Sequence, residues 1–194
     1  LAPEMLESLK GKYDSFNLAV TTTDAYPSQY NPEGNSEFKS VDGVSILNEG
    51  TPNLEDKLGR LLIQGVRGSG DERPLTSLKN SLGNPKNSEF YRGKKLHIVV
   101  VTDEDDSSRD EGEPSNGELH NVEDYKSFLS NFTNSNSGRL KFNVTSIAID
   151  SPECLDIANE DIFIGRKIAN RLMALVDQSG GEKISLCEIR SPQF

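Results

Sequence analysis

The stretch Leu96-His97-Ile98-Val99-Val100-Val101-Thr102-Asp103-Glu104-Asp105-Asp106 decides how this chain is read. A continuous run of aliphatic, β-branched residues is how a strand reads when it lies in a parallel sheet covered on both faces. It predicts a central strand over Leu96–Val101, stopped abruptly by four consecutive carboxylates, Asp103 to Asp106. In an open parallel α/β sheet, ligands bind outside the carboxyl ends of the strands, so Asp103 falls where a site is expected. Carboxylates crowded together repel unless a counter-charge intervenes, and a hard divalent cation is a natural one. Plain exposure of a solvated acidic loop is the competing explanation.

Outward from this stretch, helical and extended patterns alternate. Met5, Leu6 and Leu9, closed by Gly11, predict a short amphipathic helix over residues 3–12. The run from Phe16 to Thr23 predicts a strand ended by Asp24 and Pro27. Residues 25–52 are polar and rich in Pro, Gly and Asn, which predicts a long surface excursion holding a short strand at 44–47. Asn53 is placed to cap a helix carrying Leu54, Leu58, Leu61 and Leu62 on one stripe. The glycine-rich loop 65–72 leads through Pro74 into a further helix ending at Leu82. An acidic loop over 104–120 precedes a helix with Val122, Tyr125, Phe128 and Leu129 on one side. Leu140–Ile149 predicts another strand; Ile164, Ile168, Leu172, Leu175 and Val176 predict the last helix, closed by Gly180-Gly181; Ile184–Cys187 predicts the final strand. Strands alternating with helices imply βαβ crossovers, and hence a Rossmann-like, doubly wound, mostly parallel sheet with helices on both faces.

Composition sets the outer limits. A chain of 194 residues with 34% hydrophobic and 27% charged residues is expected to fold as a single domain, 1–194, with long polar loops. The net charge of −10, with no stripe of Lys and Arg, argues against nucleic acid as a partner. No apolar run approaches the roughly 18 residues of a membrane helix. Leu1-Ala2-Pro3-Glu4 lacks both an initiator Met and a basic-then-apolar signal, which predicts a processed or trimmed start. Cys154 and Cys187 are spaced wrongly for a zinc knuckle or a CxxC pair, and either join each other or stand as free thiols. His97 reads as a packed or hydrogen-bonded strand residue and His120 as isolated in a loop, so neither builds a triad. Without a Gly-x-Ser-x-Gly elbow, hydrolase chemistry is poorly supported. Asn131-Phe132-Thr133 and Asn143-Val144-Thr145 fit the N-glycosylation pattern, which arises by chance in chains this rich in Asn, Ser and Thr.

The segment from Leu96 to Ser108 resembles the strand-end segment of a bacterial branch of the von Willebrand factor A family. The resemblance extends to the loop 65–72 with Leu75 behind it, to Val20-Thr21-Thr22-Thr23-Asp24, and to Cys154, Gly165-Arg166, Gly180-Gly181 and Ile184-Ser185-Leu186-Cys187. It implies a metal-ion-dependent adhesion site, in which an Asp-x-Ser-x-Ser motif, a loop hydroxyl and a distal Asp hold Mg²⁺, Ca²⁺ or Mn²⁺. One coordination position is left for a carboxylate of a protein or surface ligand. By this resemblance Asp103 is the distal Asp and Ser69 the nearest loop hydroxyl, since Val66 stands where the branch often has Thr. Glu104, Asp105 and Asp106 would surround the ligands or set specificity. No Asp-x-Ser-x-Ser occurs here, so the first strand and its motif are expected outside these residues. The resemblance also favours a Cys154–Cys187 disulfide and a bacterial location outside the cytoplasm, in the periplasm, on the outer surface or secreted, with binding rather than catalysis as the role. Two alternatives stand beside it. Asp103-Glu104-Asp105-Asp106 is also similar to the two-aspartate start of haloacid-dehalogenase-like, Mg²⁺-dependent phosphotransferases, although those place Thr or Val where Asp106 stands. A metal-free structural or assembly domain of a surface complex, receiving a strand from a partner, is the other.

Overall fold

The computed structural model describes residues 2–27, 37–64, 69–135, 139–159 and 166–190. In chain order these form α1 (Ala2–Lys12), β1 (Asn17–Leu18), β2 (Leu47–Asn48), α2 (Leu54–Leu62), α3 (Pro74–Gly83), a 3₁₀ turn at Pro85–Asn87, β3 (Leu96–Val101), α4 (Val122–Phe132), β4 (Phe142–Ala148), α5 (Pro152–Asn159), α6 (Asn170–Ser179), β5 (Lys183–Ser185) and α7 (Leu186–Arg190). Helices and a parallel sheet together make a mixed α/β fold. Among the described residues, no helix is long and apolar enough to cross a membrane.

The sheet has the order β3-β4-β5, all parallel, with Leu96 opposite Phe142 through Val101 opposite Ile147, and Ser146 opposite Lys183 through Ala148 opposite Ser185. Leu96, Ile98 and Val100 share one face with Phe142, Val144 and Ala148, and this face is buried by Leu75 and Leu82 of α3, Tyr125 and Leu129 of α4, and Leu172, Leu175 and Val176 of α6. Truncating a fully buried leucine such as Leu129 or Leu172 to alanine costs about 2–5 kcal/mol, so this cluster dominates stability. Gly181 is required beside it, because a Cβ there would lie 1.8 Å from the Val144 carbonyl oxygen.

The central position belongs to β4, which corrects the expectation for Leu96–Val101. Among the described residues β3 is the terminal strand, and Val99 and Val101 on its second face are each 51% exposed. The continuous apolar run signals a strand suited to cover on both faces, but here only one is covered.

A second cluster gathers α1, α2 and the antiparallel β1–β2 pair around Leu6, Val41, Leu47, Leu54, Leu58 and Leu61. Within the stretch 25–52, of which 28–36 lie outside the described residues, Val41 and Leu47 are therefore buried. The predicted strand at Phe16–Thr23 pairs over Asn17–Leu18 alone. Asn53 precedes α2 in a left-handed conformation, φ 54°, with no cap bond from its side chain, so the expected cap does not form.

A third cluster joins Ile149, Cys154 and Ala158 to Leu186 and Cys187. Cys154 and Cys187 form a disulfide, tying α5 to α7. The sequence reading missed α5, although Ser151 supplies a visible cap by accepting the Cys154 N–H at 3.2 Å. It also extended the last strand to Cys187, where the chain turns helical after Ser185. The helix expected to be the last is α6, which begins at Asn170 and is followed by α7; Ile168 precedes it, and Ile164 lies outside the described residues.

Candidate functional site

The carboxyl end of β3 meets the N-termini of α3 and α6, two helices whose own cap residues, Arg73 and Ala169, make no side-chain cap bond. The unsatisfied N–H groups of a helix start, and its positive dipole end, call for acceptors. The loop after β3 supplies them. Asp106 Oδ1 accepts the Leu75 N–H at 3.0 Å and Ser108 Oγ accepts that of Thr76 at 2.9 Å, while Ser108 Oγ itself donates to Asp106 at 2.6 Å. Asp105 accepts the Arg171 N–H at 3.0 and 3.2 Å at the start of α6. The Arg171 guanidinium then donates to Asp106 Oδ2 at 3.2 and 3.1 Å and to the His120 carbonyl at 2.7 Å. Burial pushes the Asp105 carboxyl up, against the opposing pull of the Asp106, Arg171 and Leu172 N–H groups.

Two of the four acidic residues are therefore spent as helix caps supplied from a distant part of the chain. Asp106 has no exposed side-chain surface, and Asp105 faces α6. The other two stay at the rim. Asp103 is 40% exposed and pairs with Arg166 Nε at 3.3 Å. Buried Thr102 receives the Glu104 N–H at 3.1 Å and donates its hydroxyl to Glu72. Burial pushes the Glu72 carboxyl up; the Thr102 and Thr23 hydroxyls draw it back, and Asp103 and Asp24 add repulsion. Glu104 is driven further, to about 6, by burial and then by Glu72, Asp103 and Asp71, with Lys167 opposing. This edge carries more negative charge than its neighbours neutralise.

Ser69 stands on the same rim. Its backbone N–H donates to Asp24 Oδ1 at 3.0 Å and its hydroxyl accepts the Asp71 N–H at 3.1 Å. Asp71 is in turn held by Arg73 at 2.7 Å and by buried Arg109 at 3.0 Å, while Arg73 also lies over the Tyr26 ring. Of the residues singled out from sequence, Ser69, Asp103 and Glu104 are gathered around this rim, and Asp105 and Asp106 are turned inward. Val66 lies outside the described residues. Glu72, Thr102, Asp24 and Arg166 carried no assigned role in the sequence reading; the signal for Glu72 was its place between the glycine-rich loop and Pro74.

His120 is not isolated. Its Nδ1 lies 2.6 Å from Tyr125 Oη and its Nε2 3.1 Å from Asp110 Oδ1, and Tyr125 Oη continues to Thr76 Oγ1 at 2.7 Å. Tyr125 is buried, so this chain of bonds braces the loop against α3 rather than presenting a nucleophile.

The rim offers carboxylate and hydroxyl oxygens, the donor set of a hard cation such as Mg²⁺, Mn²⁺ or Ca²⁺. Among the described residues, no three His, Cys, Asp or Glu side chains converge closely enough to hold a metal ion by themselves. An ion here would therefore draw on water, a hydroxyl and a partner's oxygen as well. Neither family models, curated proteins nor solved structures give a match to this chain.

Proposed function

We propose that the carboxyl edge of β3 is a divalent-cation site through which a von Willebrand factor A-type domain binds a carboxylate of a protein or surface ligand, outside the cytoplasm. The observation that carries this reading is the gathering of Glu72, Asp103 and Glu104 at the carboxyl end of β3, where burial first and the neighbouring carboxylates second raise Glu104 to about 6. A bound cation relieves the repulsion among them. Asp103 and Ser69 would contact the ion directly or through water, Asp103 exchanging its Arg166 partner for it, while Glu72 and Glu104 add charge around them. Octahedral preference favours Mg²⁺ or Mn²⁺ over Ca²⁺. In this reading the sheet is part of a doubly wound, Rossmann-like arrangement, with α1 and α2 forming the second layer. The disulfide supports an oxidising compartment.

Thermal unfolding with and without cation tests the site. A ligand at 100 times its Kd stabilises the folded state by about 2.7 kcal/mol. Millimolar Mg²⁺ or Mn²⁺ is expected to raise Tm, EDTA to reverse the rise, and Asp103→Ala to abolish it while leaving the metal-free Tm nearly unchanged. Identical melting of the native protein in Mg²⁺, Mn²⁺ and EDTA would leave the metal-free assembly role as the reading. The phosphotransferase alternative draws no support from Asp105, which the start of α6 already engages.

A further inference from the structure

We propose that Arg166 is a built-in counter-charge that engages Asp103 until a divalent cation displaces it, so that the segment leading into α6 sets the affinity of the site. The proposal rests on the cation reading given above and supplies its regulation.

Two positive side chains face the rim from one short segment. Arg166 Nε donates to Asp103 Oδ2 at 3.3 Å, and the charge of the next residue, Lys167, draws Glu104 down against the burial and the carboxylates that raise it. The other arginines at this end of the sheet serve other acids: Arg73 and Arg109 both hold Asp71, and Arg171 holds Asp106. Among the described residues, Arg166 is therefore the partner of the Asp103 carboxylate.

Burial explains why Arg166 stays, and geometry explains why it can leave. Its side chain is only 9% exposed, and a charge withdrawn from water needs an opposite charge beside it. The surplus of carboxylate along the rim provides that. The bond itself is loose, because 3.3 Å exceeds the roughly 2.7–2.9 Å of a tight charge-assisted contact. Asp103 also keeps 40% of its side chain exposed, so an ion can reach it from solvent. Asp106 is the contrast: it has no exposed side-chain surface and takes the Arg171 guanidinium through two nitrogens.

The backbone that carries Arg166 is anchored without the pair. The Ala169 N–H donates to the Ile149 carbonyl at 2.9 Å, just past β4, and Asp105 holds the Arg171 N–H at the start of α6. Rotation of the arginine side chain is enough to release Asp103, with α6 and the sheet left in place. A guanidinium and a divalent cation cannot share one carboxylate without repelling each other, so the two compete. The apparent affinity for the ion is then lowered by the fraction of molecules in which Asp103 is open.

Calorimetric titration of the full polypeptide with Mn²⁺, at constant ionic strength, tests the proposal. Arg166→Gln is expected to bind Mn²⁺ about fivefold tighter than the native protein, the effect of removing a partly exposed ion pair. Arg166→Lys, which keeps the charge, is expected to stay near the native affinity, and Asp103→Ala to bind no Mn²⁺ with or without Arg166→Gln. In the native protein, the Arg166 Nε–H resonance is expected to shift on saturation with Mg²⁺, a readout that needs no variant to fold. Equal affinity of Arg166→Gln and native protein would overturn the proposal while leaving the cation site standing. Weaker binding by Arg166→Gln would overturn it too, since Arg166 would then help to build the site. An Arg166 resonance unmoved by saturating Mg²⁺ would have the same force. Absence of Mn²⁺ binding in native protein and Arg166→Gln alike would remove the cation site, and this proposal with it.

Discussion

Asp106 shows how a buried carboxylate is made tolerable. Its two oxygens take the Leu75 N–H, the Ser108 hydroxyl and the Arg171 guanidinium, so every direction of approach is filled by a donor. Removing one partner of a buried ion pair leaves the other uncompensated. Asp106→Ala is expected to cost about 3–5 kcal/mol in urea unfolding, whereas a loss below about 1 kcal/mol would mean that the ion pair contributes little. Glu104 makes the opposite case. Its folded pKa of about 6 lies above the ordinary 4.5, so the protonated form favours the folded state. That contribution is complete below about 4.5 and is lost as pH rises through about 6. The urea midpoint of the native protein, relative to Glu104→Gln, is expected to fall across this window. A constant difference would show that burial and the neighbouring Glu72 and Asp103 do not raise Glu104 in the folded state.

At the level of elements, β3, β4 and the first four helices were legible because their apolar spacing is local information. What escaped was long-range. Nothing in Leu96–Val101 tells whether a neighbouring strand and a second layer are present, so the order of the sheet could not be read. Asp105 and Asp106 were likewise expected around a cation's ligands, because a helix cap is recognised from sequence only when it immediately precedes its helix. Here the caps lie 31 positions after the α3 residue they serve, Asp106 against Leu75, and 66 before the α6 residue they serve, Asp105 against Arg171. The rim residues Asp103 and Ser69 were readable through the strand end and the loop, but Glu72 needed the Thr102 contact to stand out. The disulfide clips α5 to α7 across a separation of 33 residues. Closing a loop of that length stabilises by about 3–4 kcal/mol in the chain-entropy account. A Cys154→Ala, Cys187→Ala double variant is expected to lose about that much in denaturant titration, and an unchanged midpoint would assign the third cluster's stability to packing alone.

At the scale of the molecule, the described residues form three apolar clusters joined by polar contacts rather than one continuous core. The sheet cluster holds most of the buried aliphatic residues and sets global stability, while the α1–α2 cluster is linked to it through Tyr13 with His97, Asn17 with the Phe90 carbonyl, and Thr21 with Ser77 and Ser81. The acidic rim sits where these two bodies meet, between Asp24 and Ser69 on one side and Asp103 on the other. Net charge of −10 makes added salt expected to raise Tm through screening even without a specific ion. Mg²⁺ binding is therefore to be read against an equal ionic strength of Na⁺.

The short run from Asp105 to Ser108 fastens the first turns of α3 and α6 at once, with Arg171 bridging them. Neither helix can fray at its start without unmaking the same knot. In native-state exchange, the early amides of α3 and α6 are expected to share one opening free energy and to respond alike to Asp106→Ala, so that two helices remote in the chain behave as a single cooperative unit. Distinct opening energies would show that the loop yields to one helix independently of the other.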